Sequence, residues 1–166
     1  MLHAAVIALS SFLLFLVQPL IARLILPWFG GGAAVWTTCM LFFQSLLLAG
    51  YAYAHATNAK LLPRPQAILH VALLAAAAAT LPIAPSEALK PTGDEEPISA
   101  ILLLLAATVG LPYLMLSATS PLVQVWFARA RPGANPYRLF SLSNAASLAA
   151  LVGYPSLVEP WLTNGE

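Results

Sequence analysis

Long apolar segments with almost no charge dominate this sequence. Five of them lie between helix breakers, at about 2–26, 33–54, 67–81, 98–128 and 139–158. A helix needs about 20 apolar residues to cross the hydrocarbon core of a bilayer. Charged residues make up 8% of the chain, against about a quarter in a soluble domain. We therefore expect an all-α fold, a polytopic membrane bundle of about five transmembrane helices that forms a single domain over residues 1–166.

The fourth segment, 98–128, is too long for one straight span. An α-helix of that length would extend about 46 Å, whereas the hydrocarbon core is about 30 Å thick. Gly110, Pro112 and Pro121 interrupt it, and proline both removes a backbone donor and clashes with the preceding turn. The sequence therefore predicts that this span is tilted or broken.

Basic and acidic residues occupy different predicted loops. The loops 55–66 and 129–138 contain no acidic residue and hold most of the basic ones, Lys60, Arg64, Arg129, Arg131 and Arg138. The loop 82–97 holds one lysine and four acids, Glu87, Asp94, Glu95 and Glu96. Basic loop residues are retained in the cytoplasm. Five spans place these two basic loops on the same side as the N-terminus, so the sequence predicts a cytoplasmic N-terminus.

Arg23 is the only formal charge well inside a predicted span. Its position near the end of that span would let its stem extend to the headgroups. The alternative is that it faces a polar cavity or pairs with an acid, for which Glu159 is the candidate at similar depth. Charged groups inside a membrane commonly mark functional sites, so both residues are candidates for a polar path.

Uncharged polar residues recur at helical spacing within the spans. The three stripes are Thr37, Gln44 and Tyr51; Ser117, Ser120 and Gln124; and Ser141, Asn144 and Ser147. We expect them to face protein, either as hydrogen bonds between helices or as part of a solute path. A possible inverted repeat, with Pro19 and Pro121 at corresponding positions, adds Gln18 beside Pro19. The candidate polar-path or helix-packing residues are Gln18, Arg23, Gln44, Ser117, Ser120, Gln124, Asn144 and Glu159.

The sequence contains no motif for a metal, a cofactor or a catalytic nucleophile. His70 lies inside the third span and could ligate haem or relay a proton. A b-type haem needs two axial ligands, however, and no paired histidine spacing is present. The net charge of +1 without a basic cluster also argues against nucleic acid, whose affinity comes mainly from neutralised phosphates. We expect no cofactor and no nucleic-acid partner.

Three segments resemble the membrane region of bacterial fused transporter-like/spermidine-synthase-like proteins. The most specific covers residues 12–55, FLLFLVQPLIARLILPWFGGGAAVWTTCMLFFQSLLLAGYAYAH. Residues 110–128, GLPYLMLSATSPLVQVWFA, and 139–160, LFSLSNAASLAALVGYPSLVEP, are similar to later segments in the same order. The resemblance implies a multi-pass protein of the bacterial inner membrane, joined to a C-terminal aminopropyltransferase-like domain of Rossmann type.

The family's catalytic domain has no counterpart in these residues. Aminopropyl transfer in the family needs a glycine-rich loop after a strand and acidic residues that bind the amine, and neither motif is present. The resemblance therefore implies a fragment or a separately encoded membrane half, which is not an enzyme by itself.

We expect a membrane module of a spermidine-synthase-like, polyamine-related protein. The alternative is a small or half transporter of the major-facilitator-like type. Its partners would be the lipid bilayer and either a cytoplasmic spermidine-synthase-like domain or further copies of itself.

Overall fold

The computed structural model describes residues 1–86, 89–91, 96–133 and 137–160, and these residues form helices without a strand. Six α-helices follow one another: α1 (Leu2–Phe29), α2 (Ala33–Lys60), α3 (Pro63–Ala79), α4 (Pro97–Leu105), α5 (Leu111–Ala130) and α6 (Tyr137–Gly153). A π-helical segment, Ala106–Gly110, joins α4 to α5, and a second one, Tyr154–Val158, extends α6. The expected all-α fold is confirmed, with the six helices arranged as five rods.

Three of the rods are long and apolar enough to cross a membrane: Leu2–Phe29, Ala33–Lys60 and Pro97–Ala130. The α-helical parts of α3 and α6 are shorter, at 17 residues each. The chain is therefore a membrane protein by the length and composition of its helices. Each of the five predicted spans corresponds to one rod of the bundle.

Several helices extend beyond the predicted apolar spans. α1 continues through Pro27 to Phe29, and α2 reaches Lys60. α3 begins at Pro63, where the missing N–H of a proline costs nothing because the first turn leaves its donors unpaired. The predicted loop 55–66 is therefore helical except at residues 61 and 62. The prediction was wrong there because apolarity marks the part of a helix that lies in lipid, whereas backbone hydrogen bonding continues through polar residues.

The fourth predicted span is interrupted by a π-helical turn and is not broken. The rod Pro97–Ala130 has 34 residues and is about 50 Å long at the usual helical rise. Its wide turn, Ala106–Gly110, lies directly before Pro112. Such turns let a membrane helix accommodate proline, because the freed backbone groups find other partners. Pro121 lies inside α5 without ending it.

α5 is the central helix of the bundle. It packs against α1, α2 and α3, while α6 packs mainly against α1 and α4 against α2. The largest apolar core lies between α1, α2 and the rod that contains α4; its fully buried members include Ile25, Leu104, Leu105, Val109 and Tyr113. A smaller core joins Ile7, Val123 and Leu139. This packing leaves α6 and α2 facing each other across an open groove.

The loops group at the two ends of the bundle as the sequence predicts. Arg129 Nη2 donates to the backbone oxygen of Asn58 at 3.4 Å, so the two basic loops meet at one end, here called the basic end. Lys90 Nζ lies 5.6 Å from the ring centroid of Trp28, which places the third loop at the opposite end. Three of the four acids predicted for that loop, Glu87, Asp94 and Glu95, lie outside the described residues.

Glu96 is described, and it begins the fourth rod. Its carboxylate accepts a hydrogen bond from the backbone N–H of Ser99 at 2.8 Å. That bond lowers the pKa of the Glu96 carboxyl because it stabilises the charged form. An acidic N-cap also matches the positive end of the helix dipole.

Candidate functional site

A cavity of about 730 Å³ opens between α1, α2, α5 and α6. Its walls are mostly apolar, and none of its described lining residues is charged. Its polar side chains are Ser11, Tyr51, Ser117, Ser120, Gln124, Ser143, Asn144 and Ser147. Four of the eight sequence-predicted residues are in this set: Ser117, Ser120, Gln124 and Asn144. We call this cavity the serine groove.

Helical spacing explains why these side chains converge. Ser117, Ser120 and Gln124 lie on one face of α5, and Ser143 and Ser147 are one turn apart on α6. Ser11 on α1 continues the polar lining and ties α1 to α6, because its hydroxyl is 2.7 Å from that of Ser143. Two polar stripes that the sequence predicts separately thus line one site.

The serine groove presents hydrogen-bond acceptors. Ser117 Oγ donates to the backbone oxygen of Leu114 at 2.8 Å, and Ser147 Oγ donates to that of Ser143 at 3.0 Å. A hydroxyl has one donor and two acceptor lone pairs, so these two serines use their donors within their own helices. Gln124 Nε2 likewise donates to Ser120 Oγ at 3.1 Å. Ser117 is buried against Gly50, so the oxygens of Ser147 and Gln124 are the ones left to accept from a ligand that carries N–H or O–H groups.

A second cavity, of about 750 Å³, lies toward the opposite end between α1, α2 and α6. We call it the Arg23 cavity. Leu151 lines both cavities, so they are neighbours along the groove. Arg23 Nη1 donates to the backbone oxygen of Glu159 at 3.4 Å, and Glu159 also lines the cavity. The two candidate charged residues are therefore neighbours, with a bond from the guanidinium to the main chain.

Gln18 lines the Arg23 cavity and also ties two helices together. Its Nε2 donates to Tyr113 Oη at 2.9 Å, and Tyr113 is almost fully buried in the core. Gln18 thus acts as a packing contact between α1 and α5 at the wall of the cavity. A lining position and a packing role are compatible here, because only part of its side chain is covered.

Gln44 lies away from both cavities. It is exposed on α2, as are Thr37 and Tyr51 of the same stripe, and only Tyr51 reaches the rim of the serine groove. The expectation that this stripe faces protein is not met within the described chain. Ser141 is also outside the groove, because it is exposed and donates to the backbone oxygen of Tyr137 at 3.1 Å.

A second polar region was not predicted as a unit from the sequence. It lies between α2, α3 and α5 near the basic end, and we call it the closed cluster; its members are Thr57, Gln66, His70, Thr119 and Trp126. Gln66 is fully buried. It donates to Thr57 Oγ1 at 3.2 Å and accepts from Trp126 Nε1 at 2.9 Å. The signal in the sequence was the i, i+4 pair of Gln66 and His70, which is visible only if α3 begins before residue 67.

His70 is held in the closed cluster as a packing residue. Its Nε2 lies 3.1 Å from Thr119 Oγ1, and its ring stacks on Tyr53 with centroids 6.0 Å apart. Its Nδ1 is buried and has no hydrogen-bond partner among the described residues. Those residues contain no group of three or more His, Cys, Asp or Glu side chains that could hold a metal ion.

Comparison with protein-family models, curated proteins and solved structures finds no match to this chain. The site is therefore described by its own geometry. Its described lining holds polar side chains without charge, inside a helical membrane bundle and next to a cavity that contains an arginine and a glutamate.

Proposed function

We propose that this chain is a non-catalytic membrane module that binds a small amine-bearing solute in the serine groove. The observation that carries the proposal is the internal use of the Ser147 hydroxyl donor and of a Gln124 amide donor, which leaves the oxygens of these two side chains as acceptors at the groove. An amine cation supplies only donors, so it is complementary to such a lining. In a membrane bundle, uncharged polar side chains either bond helices together or line a cavity, and here those of the groove border open volume.

Two further features favour an amine over an anion. Among the described residues no arginine or lysine lines the serine groove, and the neighbouring Arg23 cavity contains Glu159, Trp36 and Tyr154 as well as Arg23, whose guanidinium already bonds to the main chain of Glu159. Aromatic faces and carboxylates both attract organic cations. The resemblance to spermidine-synthase-like proteins makes polyamines the first solutes to test, with the module feeding or anchoring a cytoplasmic catalytic partner.

The proposed location is the bacterial inner membrane, with the N-terminus in the cytoplasm. The basic end gathers Lys60, Arg64, Arg129, Arg131 and Arg138, and the bond from Arg129 to Asn58 joins its two loops. The positive-inside rule then supports placing this end in the cytoplasm. Labelling of single cysteines from each side of the membrane would test it, with Lys60→Cys and Glu96→Cys expected to react from opposite sides.

The solute proposal is tested by spermidine binding to the purified chain in nanodiscs. The groove variant combines Gln124→Leu with Ser147→Ala, which removes two acceptor side chains. The matched control combines Gln44→Leu with Ser141→Ala, which makes the same chemical changes at exposed positions outside both cavities. Each lost hydrogen bond is worth about 1 kcal/mol, so we expect affinity to fall about tenfold or more in the groove variant alone.

Three results would count against this function. The first is no saturable spermidine binding by the unmodified chain. The second is equal loss of affinity in the groove variant and its control, which would assign the effect to the surface. Binding of an uncharged polyol as tightly as spermidine would also overturn the choice of an amine.

A second candidate function is a half transporter that works as a homo-oligomer. The exposed Gln44 favours it, because an amide facing lipid lacks the hydrogen bonds that water or another helix would supply. Contact with a second copy through α2 would cover this residue. In a Cys39→Ala background, Gln44→Cys should then form a disulfide-linked dimer in membranes, whereas Ile68→Cys, exposed on α3, should not. Spermidine flux into proteoliposomes would distinguish this function from binding alone.

A further inference from the structure

A third cavity lies at the basic end, on the other side of α5 from the serine groove. It has a volume of about 420 Å³ and is shallow. Residues of α3 and α5 line it, namely Pro63, Arg64, Ala67, Trp126, Arg129 and Ala130. We call it the Trp126 cleft. No polar stripe leads to it, so the solute proposal leaves it unused.

The charge of the Trp126 cleft is positive and unopposed. Arg64 comes from α3 and Arg129 from α5, so two helices each contribute one guanidinium. The acidic residues in the described part of the chain, Glu96 and Glu159, lie at the opposite end. The two arginine side chains supply cationic hydrogen-bond donors at the cleft.

Two residues of the cleft wall are held by neighbouring groups, one by the closed cluster and the other by the backbone of α2. Trp126 is held by the hydrogen bond from its Nε1 to Gln66 Oε1 at 2.9 Å, and its ring meets the edge of the His70 ring. Arg129 is oriented by its bond to the Asn58 backbone oxygen at 3.4 Å. Trp126 and Arg129 are thus held in position, and the cleft combines the apolar side chains of Trp126 and Ala67 with two cationic groups.

We propose that the Trp126 cleft binds the phosphate headgroup of an anionic phospholipid. Basic pockets between membrane helices on the cytoplasmic side recognise such headgroups. Guanidinium groups bind phosphate oxygens in a bidentate manner, and a tryptophan near the helix end suits the depth where headgroup meets acyl chain. The acyl chains would then lie along the apolar outer surface of α3, where Ile68 and Val71 are exposed.

The test is lipid binding to the purified full chain in a neutral detergent, followed by native mass spectrometry. Phosphatidylglycerol is added as the anionic lipid and phosphatidylcholine as the zwitterionic one. The cleft variant combines Arg64→Gln with Arg129→Gln, and the control combines Arg131→Gln with Arg138→Gln, which removes the same charge at the same end outside the cleft. With two charges lost, we expect phosphatidylglycerol affinity to fall about 30-fold in the cleft variant and less than about threefold in the control.

A lysine variant and a competition experiment complete the design. Arg64→Lys with Arg129→Lys keeps the charge but not the bidentate geometry, so it should recover only the part of the affinity that charge alone supplies; this separates lost recognition from lost folding. Helical circular dichroism checks that each variant is folded. Equal losses in the cleft and control variants would overturn the proposal, as would equal affinity for the two lipids. Displacement of the lipid by low millimolar inorganic phosphate would also overturn it, by assigning the cleft to a soluble anion.

Discussion

The serine groove and the closed cluster lie on opposite faces of α5. Ser117, Ser120 and Gln124 point toward the groove, whereas Thr119 and Trp126 belong to the cluster. Both regions place polar side chains inside an apolar bundle, and each contains one glutamine, Gln124 in the groove and Gln66 in the cluster. They differ in where their hydrogen bonds go.

Hydrogen bonds of the closed cluster run between helices. Gln66 joins α3 to Thr57 of α2 and to Trp126 of α5. In the serine groove the Ser11–Ser143 bond joins α1 to α6, but Ser117, Gln124 and Ser147 bond within their own helices, and open volume remains beside Ser147. The partner of a polar group, more than its chemical type, therefore distinguishes packing from binding. Substitutions should destabilise the cluster and weaken solute binding in the groove.

Gly50 is the contact on which both regions depend, so its substitution should have the largest effect on stability. A Cβ at this position would overlap Ser117 Oγ and lie 3.1 Å from the backbone oxygen of Leu114. On the same helix, Tyr51 lines the groove and Thr57 belongs to the cluster. Gly50→Ala should therefore separate α2 from α5 and cost about 1–3 kcal/mol, measured by unfolding in mixed detergent and SDS micelles.

Gly153→Ala is the control for that experiment. Gly153 is helical, and a Cβ there would meet nothing within 4 Å, so this variant should be as stable as the parent or slightly more stable. If Gly50→Ala unfolds at the same SDS concentration as the parent, the close approach of α2 to α5 is wrong.

Gln66→Leu should have the second-largest effect, because it removes the centre of the closed cluster. The change leaves the Trp126 indole N–H without its acceptor and the Thr57 hydroxyl without its donor. Hydrogen bonds between membrane helices are worth about 0.6 kcal/mol each on average and about 1.7 at most. We therefore expect a loss of about 1–2 kcal/mol in the same assay, together with a red shift of tryptophan fluorescence as the Trp126 environment loosens.

The exposed Gln44 provides the comparison for Gln66. Gln44→Leu makes the same chemical change on the outer face of α2 and should alter stability by less than about 0.5 kcal/mol. Similar losses in the two variants would remove the distinction between a bonded cluster and an exposed stripe.

Gln66 also shows what the sequence could and could not predict. Apolar runs located all five rods, since burial in lipid requires them, and the grouping of basic loops followed from Lys60 and Arg129. The same criterion placed Gln66 in a loop, because polar and proline residues at 60–66 mimic a linker. Helix ends depend on capping and backbone bonding, which a hydropathy pattern does not record. For the π-helical turn before Pro112, the sequence likewise predicted an interruption of the span but not its geometry.

For the candidate site, spacing predicted which side chains share a face but not which faces meet. Ser120 and Asn144 each belonged to a stripe, and both stripes line the serine groove. Gln44 belonged to an equally regular stripe that is exposed. Helical periodicity fixes direction within one helix, whereas the convergence of two helices depends on packing partners far apart in the chain. The closeness of Arg23 to Glu159 is of that second kind.

His70→Phe should have a smaller effect than Gln66→Leu, although both residues are buried. The change removes the contact of Nε2 with Thr119 Oγ1, but it also removes the buried Nδ1 that has no partner among the described residues. Losing an unsatisfied polar atom offsets the lost hydrogen bond, and an aromatic ring still faces Tyr53. We expect a change within about 1 kcal/mol in SDS unfolding. A larger loss would show that His70 bonds to something more than Thr119.

Removing polar groups from the serine groove should have the smallest effect on stability. Gln124→Leu with Ser147→Ala breaks bonds to Ser120 and to the α6 backbone, and these bonds lie within single helices and so do not hold helices together. Unfolding should therefore shift by less than about 0.5 kcal/mol, while spermidine affinity falls. A loss as large as that of Gln66→Leu would mean that the groove side chains hold the bundle together, and the contrast between the two faces of α5 would then disappear. Unchanged stability with weakened spermidine binding would show that polar residues on one face of α5 bind solute, whereas those on the opposite face hold the helices together.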